Sequence, residues 1–571
     1  MTRVLDGILN VSFALLVLLS LTGGYVPAAA QYPERAFAVE LWRMGHWVLG
    51  FLALALLRYA WGRQSFPAIG FVRVVRGVGA RLARSPRAVY LLTALWTVLL
   101  FVTAARIYWS FGDTRDLEVF DQALWNTAHG HFYRSSIVGD VNLFSEHFDP
   151  LHLVLAAVYA VHASPLIPLA AQSIMLGLGA VPLYWLARER FPGHVLAPLL
   201  PLLYLFFQPI REANRFGYHP GALVPPLFFF ALYFMEKARW VWMIGFLVLA
   251  GLLKENMPIA GVTIGIYLFL AARRRLLGAA MVAGFGLWFY AGFTWIIPAF
   301  GPLSGGYKYF DLFTRLDASP WGMFLAPIVN PAGVVSGLTA LGSRKIDYLI
   351  QVFGPLAFLS LLSPSRLFLG LPFLVPHLLS DIRLLTTIRT HHTADLTPFV
   401  FYSALWGADN LLRWLTGRRI WGRAWGREAL AGALAVVLLS TSFVCHGWPE
   451  PFLLRRYAVT AHHRRLAEVL RDIPPDASVS TQRPIAPHLS HRPRLYRFQE
   501  PARAGVEPPE YVVLDRSLIE RDSYRGPFEA GLAKLPEMGY EKERDEGGIL
   551  VYRRRTAGPG TQAGPSDRPR Q

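Results

Sequence analysis

Apolar runs long enough to cross a bilayer recur along the first 446 residues, and they limit this chain more than any other feature. A spanning helix needs about 20 mostly apolar residues. Tyr90 to Ile107 and Gly278 to Phe300 are of that order. Inside lipid, helices and closed barrels are the structures that satisfy every backbone N–H and C=O, and runs this long are helical. Composition agrees. Hydrophobic residues make up 53% of the 571 and charged residues 16%, with a mean hydropathy of +0.34. A soluble domain carries about 25% charged residues. The chain reads as an all-α polytopic membrane protein with about 11–13 transmembrane helices.

Arginine sets the orientation through the positive-inside rule. Gly62 to Ala88 holds Arg63, Arg73, Arg76, Arg81, Arg84 and Arg87 without an acid, and Arg413 to Glu428 holds five arginines against one Glu. With Arg273–Arg275, these loops are assigned to the cytoplasm. Spans are expected near 8–29, 43–61, 89–110, 150–188 (a short broken helix, then a full one), 194–210, 221–236, 240–253, 257–272, 277–299, 347–363, 366–379, 395–412 and 429–446. Gly7 to Ala30 has signal-peptide features but is long and followed at once by a second span, so it reads as the first span. Prolines 182, 201, 225, 226, 372 and 376 predict broken helices around a protein-lined cavity, or simple kinks.

One polar island, Phe111 to Pro150, interrupts the pattern. It carries seven carboxylates (Asp113, Asp116, Glu118, Asp121, Asp140, Glu146, Asp149) against Arg115 and Arg134, in a chain of formal net charge +18. The topology places it outside. The same face receives His219 of NRFGYHPG, Lys254 and Glu255 of LLKENMP, the loop Tyr307 to Asp317, and Arg383, Arg389, His391 and His392. Ionisable groups at membrane depth are costly, which marks them as functional candidates. A carboxylate as general base and cations around a leaving phosphate form one coherent chemistry. The alternatives are plain. Asp113 or Asp116 can cap the next helix. Leu117, Phe120, Leu124 and Ala128 form a stripe that a helix lying on the membrane would also show. Lys254 and Glu255 can form an interfacial ion pair, and His147 has no HExxH-type spacing for a metal.

The single cysteine, Cys445, excludes an intramolecular disulfide framework and a cysteine metal site. No Walker loop or Rossmann fingerprint is present, and topology accounts for the arginine surplus without nucleic acid. After His446 the chain becomes polar. Short strands are expected at Ala477 to Gln482, Leu495 to Phe498, Tyr511 to Asp515 and Ile549 to Tyr552, with helices at His462 to Arg471 and Phe528 to Met538.

The segments DLEVFDQALWNTAHGHF, EHFDPLHLVLAAVYA, QSIMLGLGAVPLYWLAR, YHPGALVPPLFFFALYF and LLKEN, with DASVSTQRPIAPHLSHRPRLYRFQEP toward the C-terminus, resemble the bacterial family catalogued as domain of unknown function 2079. That family is similar in layout to GT-C fold glycosyltransferases, which use polyprenyl-phosphate sugars and carry acidic residues in the first large outer loop. The resemblance implies that Asp116 is the base, with Glu118 and Asp121 as neighbouring catalytic candidates. Glu146, His147, His219, Lys254, Glu255, Arg389, His391 and His392 are then substrate-binding candidates.

The expected architecture has four parts. Residues 1–88 form a transmembrane hairpin and basic loop. Residues 89–446 form a GT-C-like core with the acidic outer loop 111–149. Residues 447–555 form a small extracytoplasmic α/β domain, and 556–571 a disordered tail. The expected function is transfer of a sugar from a polyprenyl-phosphate donor to a glycan, lipid or protein acceptor, at the extracytoplasmic face of the bacterial cytoplasmic membrane. No cofactor is demanded, and a divalent metal is possible. The alternatives are a transporter or flippase for a lipid-linked glycan and a non-catalytic envelope-assembly protein.

Overall fold

The computed structural model describes residues 70–301, 328–380, 382–420, 423–424, 426–446, 457–498, 507–519 and 522–555. The expected hairpin at 8–29 and 43–61, the loop Tyr307 to Asp317 and the tail 556–571 lie outside the described residues. The chain divides into two compact units. One comprises Met1–Arg106, Leu143–Leu155 and Leu166–Tyr457; the other comprises Ile107–Asn142, Ala156–Pro165 and Ala458–Gln571.

The first unit is helical. Among the described residues, four helices are long and apolar enough to cross a membrane: Pro86–Trp109, Leu166–Arg190, Arg275–Ala299 and Arg427–His446. The expected short broken segment before the second of these is Pro150–Tyr159. Helices stand at the other expected positions too, but several are short. Trp240–Gly251 and Ile259–Leu270 have 12 residues each, which gives about 18 Å at 1.5 Å per residue, against a hydrocarbon core of about 30 Å. The prolines account for part of this. Pro225, Pro226 and Pro372 stand in the first turn of their helices, where the missing N–H costs nothing, whereas Pro201 and Pro376 lie inside theirs. Past Phe353 the chain runs through two 3₁₀ turns, Gly354–Leu356 and Leu359–Leu362, joined by Ala357 and Phe358 at positive φ. The expected continuous span at 347–363 is therefore interrupted, and that at 366–379 is broken by the 3₁₀ turn Phe368–Gly370.

The second unit holds a five-stranded mixed sheet. Its strands are β1 (Val479–Thr481), β2 (Leu495–Arg497), β3 (Tyr511–Asp515), β4 (Tyr540–Glu546) and β5 (Ile549–Arg554), in the order β2-β1-β3-β5-β4. β1 pairs in parallel with β2 and β3; β5 pairs antiparallel with β3 and β4. Val512, Leu514 and Leu550 pack with Phe528, Leu532 and Leu535 into one apolar cluster. The helix Ala461–Arg471 starts with a capping box between Thr460 and His463. β4, YEKERDE, was not expected from sequence. It is an edge strand whose outward residues are all charged, so it lacks the apolar alternation that marks a strand.

The island helix excludes one of the alternatives. The helix Leu117–Ala128 does not present one apolar stripe to a membrane surface. Leu117 through Leu124 and Asn126 are all buried, which makes it a core helix of the second unit. The linear division also differs from the fold: island residues 107–142 group with the C-terminal sheet.

Candidate functional site

The acids of the second unit are held by its C-terminal segments. Glu118 is fully buried and its Oε1 accepts from Arg497 Nη2 at 2.8 Å. Burial pushes its carboxyl above the usual range, with Arg497 opposing. Asp121, equally buried, accepts from the hydroxyls of Tyr159 and Ser490 and stands 3.1 Å from His491 Nε2. Gln122 donates to the carbonyl of Arg492 and to Ser136 Oγ, both at 2.9 Å. The Ser136 hydroxyl donates to the Leu495 carbonyl at 2.9 Å and accepts from the Leu495 amide at 2.8 Å, closing the outer edge of β2. Arg492 donates to the carbonyls of Leu489, Pro474 and Ala477, and burial lowers its guanidinium to about 10.

Asp116 differs from its neighbours. It is half-buried at the N-terminus of the helix with φ 63° and ψ −11°, and its side chain makes no capping hydrogen bond. A left-handed conformation at a non-glycine residue carries strain, and such residues cluster at functional sites. Arg115 pairs with Asp113 at 2.9 Å and Arg134 with Asp140 at 3.0 Å.

In the first unit, loops far apart in sequence bring imidazoles together around one lysine. The His219 ring stacks on that of His391, centroids 3.8 Å apart; His391 lies 4.1 Å from His392, and His147 lies 5.3 Å from His219. The loop that carries His219 is fixed from below. Gln172 donates to the carbonyls of Gly217 and Ala213 and accepts from the His219 amide at 3.1 Å. His219 Nδ1 accepts from the Gly221 amide at 3.1 Å, which assigns the ring proton to Nε2. A Cβ on Gly221 would stand 3.2 Å from His219 Nδ1 and 3.4 Å from Lys254 Cδ, so glycine lets the lysine stem lie against this turn.

Lys254 and Glu255 do not pair with each other. Glu255 accepts from the Phe148 amide at 3.2 Å, and its Oε1 stands 3.1 Å from His147 Nδ1. The Lys254 ammonium makes no hydrogen bond or ion pair among the described residues, while its backbone carbonyl accepts from the Met257 amide at 3.1 Å. His391 is 6% exposed, and neither ring nitrogen has a hydrogen-bond partner among the described residues. Burial and Lys254 hold His219 and His392 well below the ordinary imidazole range; burial and the neighbouring His219 do the same for His391. His219, His391 and His392 are thus neutral imidazoles near the Lys254 ammonium, whose charge also reaches the buried Asp395 carboxyl.

Glu146 is half-buried on the same loop as His147. Arg389 is exposed, with no cluster ring or carboxylate paired to it among the described residues. Sequence reasoning missed His377, which stands 6.5 Å from His392, and Tyr348, whose hydroxyl meets His377 Nδ1 at 2.5 Å. His377 lies inside an apolar helix, where a lone polar residue gives little signal, and Tyr348 on the buried face of a charged amphipathic helix, where it reads as ordinary core. It also missed Arg497, Ser490 and His491 as partners of the island acids, since more than 360 residues separate them.

Residues 108–551 match the family described as "Predicted membrane protein (DUF2079)". The chain belongs to the DUF2079 family. No curated protein matches it. Among solved structures it is similar to two crystal structures of ArnT from Cupriavidus metallidurans, one bound to undecaprenyl phosphate and one in the apo state. Identity is 14% for both, with TM-scores of 0.44 and 0.42, covering 80% of this chain and 97% and 98% of those chains.

For this family member the geometry defines what each cluster can do. The Lys254 cluster offers a positive charge and ring N–H donors in a setting that favours an anion. Among the described residues no group of three or more His, Cys, Asp or Glu is disposed to hold a metal ion. The Glu118 and Asp121 carboxylates are committed to partners inside the second unit.

Proposed function

We propose that this membrane protein is a GT-C-like glycosyltransferase that takes a sugar from a polyprenyl-phosphate donor and transfers it to an acceptor hydroxyl at the extracytoplasmic face. The observation that carries the reading is Lys254, whose ammonium has no hydrogen bond or ion pair among the described residues and lies near the neutral rings of buried His219 and His391 and half-buried His392. A lysine held unpaired in a partly dry site is costly. An anionic ligand removes that cost, and a departing phosphate is stabilised best by charge fixed before it forms. Lys254 therefore binds the donor phosphate, with His219, His391 and His392 as N–H donors and Glu255 holding His147 in place. Asp116 is the base that takes the acceptor proton, as the family resemblance implies; its strained backbone fits a residue kept for chemistry. Glu118 and Asp121 are reassigned in this proposal from catalysis to holding the island helix.

The test is turnover by the purified full chain in vesicles, with polyprenyl-phosphate sugars as donors and release of polyprenyl phosphate as the readout. Release that depends on Lys254 supports the reading. Movement of intact lipid-linked glycan across the bilayer without release replaces it with the transporter reading.

A further inference from the structure

A second concentration of charge lies away from the histidines, where the helices Leu166–Arg190 and Arg427–His446 end beside the helix Thr397–Leu415. Asp409, on the helix Thr397–Leu415, has a side chain only 3% exposed. Three guanidiniums reach it. Arg427, the first residue of its helix, donates at 2.5 Å, Arg413 stands at 2.6 Å, and Arg190, the last residue of Leu166–Arg190, completes the set. One turn before Asp409, Trp406 carries two cations on its ring, Arg190 at 3.8 Å and Arg366 at 3.9 Å from the centroid.

The charge does not balance. Three guanidiniums share one carboxylate, and a fourth, Arg366, shares the Trp406 ring with Arg190. Asp409 offers two oxygens against donors that number five per arginine. Nε of Arg190 and of Arg366 are buried and have no hydrogen-bond partner among the described residues. Two like charges held on one indole ring repel, and cation–π contact offsets that only in part. A tetrahedral oxyanion resolves both problems, because it offers several acceptors and matches the guanidinium fork two bonds at a time.

We propose that Arg190, Arg366, Arg413 and Arg427 form a phosphate site separate from the Lys254 cluster. The shared chemistry is a phosphate ester, and the membrane surface supplies one source: an anionic lipid headgroup. Helix ends mark the depth at which headgroups lie, and basic pockets between membrane helices bind them. Leu361 and Leu362, just before Arg366, are exposed, which leaves apolar surface for an acyl chain beside the charge. The other source is soluble phosphate. In either case Asp409 positions three of the arginines and does not itself bind.

The experiment uses the full-length protein in a neutral detergent, titrated separately with phosphatidylglycerol, phosphatidylcholine and inorganic phosphate, and read by native mass spectrometry. Phosphatidylglycerol is expected to bind and phosphatidylcholine not. Arg190→Gln/Arg366→Gln should weaken that binding by at least about tenfold, while Arg275→Gln, an exposed arginine elsewhere, should not. If only inorganic phosphate shows this loss, the source is soluble and the site stands. Arg366→Lys serves if the double variant does not fold, since it keeps the charge and loses the fork; a several-fold loss is expected. Equal binding of all three ligands by wild type and variants overturns the proposal.

Discussion

The imidazoles of His219 and His391 lie face to face, 3.8 Å between centroids and 11° between planes. One ring comes from the turn before the helix Pro225–Glu236 and the other from the turn before Thr397–Leu415. Two protonated rings would repel at this distance, so the stack holds while both are neutral. Their folded pKa values lie below the ordinary value, and the unfolded chain therefore binds more protons between the two. The stability from neutral rings is complete above about pH 6.5 and declines as pH falls toward the folded values. Thermal unfolding from pH 8 to pH 5 should show this decline, and His219→Phe/His391→Phe should flatten it. An unchanged slope in the double variant would place the pH sensitivity elsewhere.

Lys254→Met should weaken binding of a short-chain polyprenyl phosphate by about tenfold or more, a change of roughly 1.4 kcal/mol per decade. Lys254→Arg should retain part of it. Arg389→Ala should have the smaller effect, because that side chain is exposed. Isothermal titration of the three variants decides; equal affinities would remove Lys254 from the site.

Asp116→Asn should lower transfer by about 10²–10⁴-fold, the usual cost of a lost base. The melting temperature should hold, since asparagine tolerates φ 63° and no side-chain cap is lost. Near-normal turnover would assign Asp116 a purely conformational role.

Glu118→Ala should destabilise the second unit by about 3–5 kcal/mol, because it leaves Arg497 without its buried partner. Glu118→Met/Arg497→Met should recover much of that loss. Limited proteolysis of the Leu117–Ala128 helix measures both. A stable Glu118→Ala protein that has lost turnover would return Glu118 to the catalytic group.

In a Cys445→Ser background, His131→Cys and Glu537→Cys, both at exposed positions, should react with an impermeant thiol reagent added from outside intact cells. Reaction only after permeabilisation would invert the proposed orientation.

The helical membrane class was legible in the residue pattern, because backbone satisfaction in lipid leaves few choices for long apolar runs. The pattern also marked most strand positions in the C-terminal segment, and the loops that carry His147, His219, Lys254, Glu255, His391 and His392. Those signals are local: a run, an alternation, a charge in apolar surroundings. Tertiary structure alone decided the partners. Glu118 and Arg497 are 379 residues apart, and no local pattern reports that one buries the other. The same holds for Lys254 and Glu255, adjacent in sequence yet turned to different neighbours. An isolated segment has no means of showing which of its charges will be neutralised by the rest of the chain. That depends on which loops the packed helices carry together, and it separates the acids used for cohesion from the lysine left for a ligand.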